Sequence, residues 1–505
     1  MSGVVQRLGL RTLAQVPPTR RPRVDPASTG VGILHLGIGA FHRAHQAEFT
    51  EDAIAAAGGE WGICGVSQRS RSVIDALAPQ DGLYTVLTRG SRGSSARVVG
   101  AVRELIFAGT DAARVVARLA DPAVRVTTLT VTEKGYRHDS ATGRLRRDDL
   151  GVQADLAGQP PQTVVGQLVR GLQARMAADA GPHAVLSCDN LAHNGATLAG
   201  LVRDFVDQLP AEERRPLGDW IDEQVRFPSS MVDRIVPAPT DDDRAEVHRL
   251  IGLRDDGAVA TESFRQWVIE DDFPGGRPAW ERAGALLTGD VTPYEVIKLR
   301  VLNAAHSTLA YLGALAGCAT IAEAIARDEF AAVVHHLWRD DAEPTLAVPA
   351  GFDLPAYEQQ LLDRFADPAL RHSTLQVAMD GSQKLPQRLV STIVDARRAG
   401  RTPQWAMFAV AAWMRWVSTE HTDAGAPRKL DDPLAPTLQR AVAGASTATH
   451  VVDRLLAVRA VFGADLAHDD TVRASLVDSL QRIAADGAQT AAHALTAEPT
   501  ERGIA

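Results

Sequence analysis

Four polar side chains, Glu295, Lys298, Asn303 and His306, stand on an otherwise mostly apolar stretch from Thr292 to His306. Pro293 near its start suits the first turn of a helix, where a backbone N–H has no partner to lose. At about 100° per residue, Asn303 lies about 140° from Lys298, His306 about 80° and Glu295 about 60°, which puts all four on one broad face. Hydride transfer at a carbinol carbon needs a base for the hydroxyl proton and a donor that stabilises the oxyanion. A desolvated lysine can be that base, an asparagine amide the donor and a histidine the group that orients the substrate. The same pattern also arises where a helix satisfies hydrogen bonds to a neighbouring domain, and spacing alone leaves both open.

Two further segments are polar where an apolar core is the simpler choice. Ser187 to Gly195 follows a strand, the place where α/β proteins put ligand-binding loops. Within it Asn194 is either an amide donor to substrate or a helix cap beside Gly195. Phe227 to Ile235 offers Asp233 as a substrate ligand, or as half of a surface pair with Arg234.

The elements that position these groups change character along the chain. Gly32 to Gly37 reads as a buried strand entering a glycine turn, and Ala40 to Ala57 as the helix after it. Strand-type runs recur at Trp61–Val66, Arg125–Thr132 and Ala184–Cys188, separated by helix-length segments, which predicts βαβ units and a mostly parallel sheet. From Pro293 onward strand signals nearly vanish, and Thr292–Ala316, Ile321–Trp338, Leu354–Phe365, Pro403–Trp416 and Thr447–Phe462 read as helices. The expected organisation is an extension over 1–30, an α/β Rossmann-like domain over 31–285 and a mostly helical domain over 286–505. The extension is expected to be disordered.

Gly37-Ile38-Gly39 follows the first strand and opens a helix, a setting that can hold a pyrophosphate. The third glycine of the full fingerprint is absent, because His42 stands there. Arg43 is a candidate phosphate contact or a solvated helix residue. The second strand runs into Ser67-Gln68-Arg69-Ser70-Arg71 with no acid before Asp75. An acid there would bind the adenosine ribose of NAD. Arg69 and Arg71 instead face a 2′-phosphate, which favours NADP, or are ordinary surface charges.

Bulk properties narrow the class. The 505 residues, 45% hydrophobic and 23% charged, suffice for two or three cores, and a net charge of −9 argues against a general nucleic-acid or anionic-membrane binder. Three scattered cysteines form no ligand-spaced cluster, which speaks against structural zinc or a disulfide framework and for a reducing cytoplasm. No apolar run reaches membrane-spanning length.

Taken together, the blocks GILHLGIGAFHRAHQA, TVTEKGYRHD, SCDNLAHNG, FPSSMVDRIVP, TPYEVIKLRVLNAAHS and AMDGSQKLPQR resemble the mannitol dehydrogenase family, which includes fructuronate reductases. The resemblance runs from Gly32 to about residue 465. It implies a zinc-independent NAD(P) oxidoreductase with its active site between a Rossmann-like and a helical domain. Lys298 is then the general base, Asn194 and Asn303 the oxyanion site, and Glu295 a gate for proton exchange. His306, Asp233 and Lys384 bind substrate, and Gly37, Gly39, Ala40 and Phe41 line the cofactor. The missing ribose-binding acid departs from mannitol-type members, as do Lys134, Arg300 and Gln376, and these features look more like fructuronate reductases, whereas His193 is closer to the mannitol side. Lys134 and Arg300 are the added cations that a sugar acid would call for. The expected substrate is D-mannonate/D-fructuronate, with mannitol/fructose or another polyol as the alternative. The expected cofactor is NAD with NADP possible, and the chain is expected to be a monomer or small homo-oligomer. A 6-phosphogluconate-type dehydrogenase and a redox-sensing nucleotide binder are the rival classes. The blocks around Asp189 and Asp233 oppose the first, and the lack of a basic DNA-binding helix opposes the second.

Overall fold

The computed structural model describes residues 6–90, 93–139 and 142–497. The chain divides into two compact units, Met1–Thr292 and Pro293–Ala505, a few residues beyond the expected boundary.

The first unit is built on strands β1 (Val31–Leu36), β2 (Gly62–Ser67), β3 (Val102–Phe107), β4 (Val126–Leu129), β5 (His183–Ser187) and β6 (Val225–Arg226). They form one parallel sheet in the order β3-β2-β1-β4-β5-β6. That is the doubly wound dinucleotide-binding order, and its switch point lies where β1 separates β2 from β4. Both faces of the sheet are covered. Leu34 and Leu36 point into one core with Val66, Leu129 and Val185, while Ile33 points into another with Ile63, Val126 and Leu186. Burial on both sides explains why these strands read as continuous apolar runs rather than alternating ones. Two three-stranded sheets complete the unit, one of Tyr84–Arg89, Ser95–Val99 and Val259–Glu262, the other of Ser230–Asp233, Gln266–Glu270 and Leu286–Thr288.

Two local expectations need correction. The helix expected over Ala40–Ala57 is two helices, Ala40–Ala44 and Gln46–Ala57, broken at His45 (φ −128°, ψ −86°). The His45 ring is held at the break by the Gln266 carbonyl at 2.9 Å and by Phe41 and Phe49, each with ring centroids 5.0 Å away. The leading segment is not a disordered extension over its described part. Leu8 and Val16 are buried with Leu83, Val98, Val247 and Leu253, and Leu8 N–H donates to the Arg254 carbonyl at 2.9 Å.

The second unit is helical, and among the described residues it holds only isolated β-bridges. The helices Ala304–Leu315 and Gln404–Ser418 are buried along most of their length. The helices expected at Ile321–Trp338 and Thr447–Phe462 are each interrupted, into Ile321–Ile325 with Asp328–His336 and into Ala448–Leu456 with Arg459–Phe462. The stretch Thr292–Leu315 is continuous but not uniformly α. Thr292–Ile297 and Ala304–Leu315 are α-helical and Lys298–Asn303 is a π segment, in which Ala304 N–H donates back to the Leu299 carbonyl. Cys64, Cys188 and Cys318 are buried free thiols. Among the described residues no helix is long and apolar enough to cross a membrane.

Candidate functional site

In the first unit a cleft of about 430 Å³ opens at the carboxyl ends of β1, β2 and β4, lined by Gly37, Ile38, Gly39, Ser67–Ser70 and Thr130–Thr132. Gly37 has φ +101°, and a Cβ there would lie 2.1 Å from the Thr130 carbonyl, so only glycine fits. Gly39 differs: a Cβ would meet nothing closer than the Gly37 carbonyl at 3.8 Å. The open space beside its backbone suits close approach by a pyrophosphate, which is why a dinucleotide fits this cradle. Beneath the turn, the buried His35 ring bonds Thr128 Oγ1 at 2.7 Å and Thr130 Oγ1 at 2.9 Å, and Thr130 Oγ1 donates to the Gly37 carbonyl at 2.8 Å. Burial pushes the His35 imidazole down to about 3, so the turn rests on a neutral ring.

The third wall of the cleft is a loop that spacing did not single out. Thr132 sits at φ +64°, a costly conformation for a β-branched residue. Asp189 holds it there, accepting from Thr132 N–H at 2.8 Å, Val131 N–H at 3.0 Å and Tyr136 Oη–H at 2.7 Å. Arg137 and Gln162–Val164 also line the cleft. The signal for this wall was the position of Thr130–Thr132 at the end of a strand adjoining the first, where parallel sheets put ligand contacts.

The expected cofactor residues separate. Gly37, Gly39, Arg43 and Arg69 line the cleft. The Arg43 guanidinium also donates to the Gly257 carbonyl and to the Gly39 carbonyl at 3.3 Å, bracing the turn from behind. Ala40 and Phe41 pack against the core around Ile38 rather than lining the cleft. Arg71 pairs with Asp75 at 3.1 Å and lies over the Phe107 ring. Lys134 is exposed on the turn Glu133–Tyr136.

Asn194 begins the helix Asn194–Val206 and is buried. Its amide donates to the Ser230 carbonyl at 2.7 Å and the Asp189 carbonyl at 3.0 Å, and its oxygen accepts from Ser230 N–H. It thus ties the Asp189 loop to the strand Ser230–Asp233, whose last residue, Asp233, is buried too. Arg234 is not a surface partner for Asp233, because it turns inward to Glu48.

In the second unit the π segment carries Lys298, Arg300 and Asn303, all buried, and His306 follows one turn later. The i to i+5 repeat of a π turn brings Asn303 roughly over Lys298, closer in azimuth than the α-helical count gives. Asn303 Nδ2 and His306 Nε2 are buried and have no hydrogen-bond partner among the described residues. Burial, with help from His372 and the cations Arg388, Arg364 and Lys384, holds the His306 imidazole well below its ordinary value. Its ring centroid is 4.6 Å from that of His372. Lys384 donates to the Met379 carbonyl at 2.6 Å, and burial lowers its ammonium to about 8. Glu295 lies in the α turn before Lys298. Arg300 is drawn away to Asp395 at 2.5 Å and the Thr345 carbonyl at 3.3 Å. Among the described residues no group of His, Cys, Asp and Glu is placed to hold a metal ion.

A doubly wound nucleotide-binding unit followed by a helical unit with buried, unpartnered polar groups defines a dehydrogenase-type architecture. The chain belongs to the mannitol dehydrogenase family, matching its Rossmann domain over residues 31–282 and its C-terminal domain over residues 290–484. It is thereby an oxidoreductase acting on CH–OH groups. The uncharacterized oxidoreductase YeiQ of Escherichia coli is 42% identical over 476 residues, covering 93% of this chain and 96% of that one. The D-mannonate oxidoreductase of Escherichia coli is 37% identical over 485 residues, covering 95% and 98%. Among solved structures, Pseudomonas fluorescens mannitol 2-dehydrogenase in ternary complex with NAD and D-mannitol matches with a TM-score of 0.86 at 36% identity, covering 98% and 100%.

Proposed function

We propose that this protein is an NAD-dependent oxidoreductase that interconverts D-mannonate and D-fructuronate. The carrying observation is the pair of buried polar atoms without a hydrogen-bond partner among the described residues, Asn303 Nδ2 and His306 Nε2, on the helix that holds Lys298. Buried polar atoms without partners are costly, and a ligand rich in oxygen atoms repays that cost. Bound nicotinamide supplies the hydride acceptor. Lys298 takes the carbinol proton, and Glu295 passes it toward solvent. Asn303 donates to the developing alkoxide. His306 and Lys384 hold substrate hydroxyls.

The sugar-acid choice draws on the departure at Gln376 and on the 37% identity to the D-mannonate oxidoreductase; Arg300, paired with Asp395, and Lys134, exposed on the first unit, lend it no support. A second reading, D-mannitol/D-fructose, draws on the whole-chain likeness to the mannitol 2-dehydrogenase. The Gly37–Gly39 cradle supports NAD, and Arg69 beside it leaves room for NADP. The reaction needs no zinc. Three buried free thiols suit a reducing cytoplasm, and neither nucleic acid nor membrane is a partner. Reduction of D-fructuronate and D-fructose by NADH and by NADPH, compared through kcat/KM, tests the assignment. Turnover of fructose without turnover of fructuronate would return it to the second reading.

A further inference from the structure

Arg388 lies in the π segment Pro386–Val390 and packs against the helix that carries Asn303 and His306. Its guanidinium donates to Ser307 Oγ at 2.9 Å and to the Asn303 carbonyl at 3.4 Å. No carboxylate answers it: among the described residues Arg388 forms no ion pair. The acids nearby serve others. Asp432 accepts from Ser382 N–H at 2.8 Å, Ser382 Oγ at 2.5 Å and Leu434 N–H at 2.8 Å, and with Asp380 it favours the charged form of Lys384. Arg388 disfavours the charge of Lys384, and both disfavour that of His306; Asp380 and Asp432 act on Lys384, and no carboxylate does the same for Arg388. Burial lowers the Arg388 guanidinium to about 10, with only the Tyr311 hydroxyl opposing the shift.

A partly buried guanidinium without a counter-charge is costly, and its planar fork matches a carboxylate far better than a hydroxyl. Because Arg388 bonds the residue next to His306, an anion bound there lies within reach of whatever His306 orients. We propose that Arg388, backed by Lys384, binds the carboxylate of the sugar-acid substrate and sets the preference for a uronate over a neutral ketose. Neither expected cation fills this role: Arg300 is taken up by Asp395, and Lys134 is exposed on the first unit. The inference rests on the sugar-acid function proposed above and adds the residue that enforces it.

The test is kcat/KM for D-fructuronate and for D-fructose, with NADH, in wild type, R388Q and R388K. In R388Q the uronate value should fall roughly 30-fold or more, as when a buried charge loses its partner, and mostly through KM. The uronate-to-fructose ratio should drop by at least about tenfold, and R388K should restore part of it, because charge returns without the fork. Equal losses on both substrates in R388Q overturn the Arg388 assignment and leave the sugar-acid function standing. A wild type that reduces fructose and ignores fructuronate overturns both. If R388Q does not fold, R388K carries the test alone, and an unchanged ratio in it overturns the assignment.

Discussion

Lys298, Lys384 and Arg69 each make a claim that one substitution checks. With Lys298 as base, Lys298→Ala should lower kcat/KM by roughly 10² to 10⁴ while the Kd for NADH stays within a few-fold. Activity close to wild type would remove it from the mechanism. Lys384 adds a pH signature. Burial lowers its ammonium from 10.5 to about 8. The unfolded chain therefore binds more protons than the folded one from about pH 8 upward, so this group's destabilising effect is complete below that pH and relieved as pH rises toward the unfolded value. If its charge holds substrate, the affinity of the NADH-loaded enzyme for D-mannonate should weaken above about pH 8, approaching tenfold per pH unit. Lys384→Gln should bind weakly with a flatter profile. A wild-type affinity that is level across that range would separate Lys384 from the substrate. At the nucleotide cleft, Arg69 and Arg71 now diverge. Arg69→Asp should move the kcat/KM ratio toward NAD, and Arg71→Ser should leave it unchanged, because Arg71 is spent on Asp75. A shift of equal size from Arg71→Ser would contradict the division.

At the scale of elements, the cradle depends on two glycines for different reasons. Gly37→Ala meets the Thr130 carbonyl at 2.1 Å and adds strain at φ +101°, so it should cost folding stability, read as a lower Tm. Gly39→Ala finds open space, so it should keep the Tm and lose NADH affinity, since its methyl occupies the approach of the pyrophosphate. Matching Tm losses would contradict the distinction. Asp189→Asn keeps the shape but weakens the hold on Thr132 and Val131, at an expected cost of roughly 1–3 kcal/mol. Much of this was legible from residues. Gly37-Ile38-Gly39 marked the cleft because glycine is the one residue position 37 tolerates, and Leu354–Phe365 was read correctly to its ends because an Asp cap and an apolar stripe are local signals. The break at His45 was not legible, since the Gln266 carbonyl that causes it is 221 positions away. The π segment was hidden for a related reason: Lys298–Asn303 has an ordinary helical composition, and its register change is invisible to a count at a fixed 100°.

For the whole molecule, the division into a doubly wound unit and a helical unit was legible because hydrophobic period and β-branched content change together near residue 285. The docking of Leu8 and Val16 was not, since a Pro- and Arg-rich segment resembles a free tail until its few apolar residues find Val247 and Leu253. Metal removal tests the chain as a unit: activity should survive dialysis against EDTA, and a loss that zinc alone restores would displace Lys298 as the base. The buried thiols carry one more consequence. Cys64 and Cys188 belong to the first unit and Cys318 to the second, and burial raises all three thiols above their ordinary range. An alkylating reagent needs both access and the thiolate, so the native chain is nearly silent to it. Each cysteine becomes a clock for the opening of its own surroundings, and mass spectrometry of timed labelling would give separate unfolding rates for the two halves without any added probe.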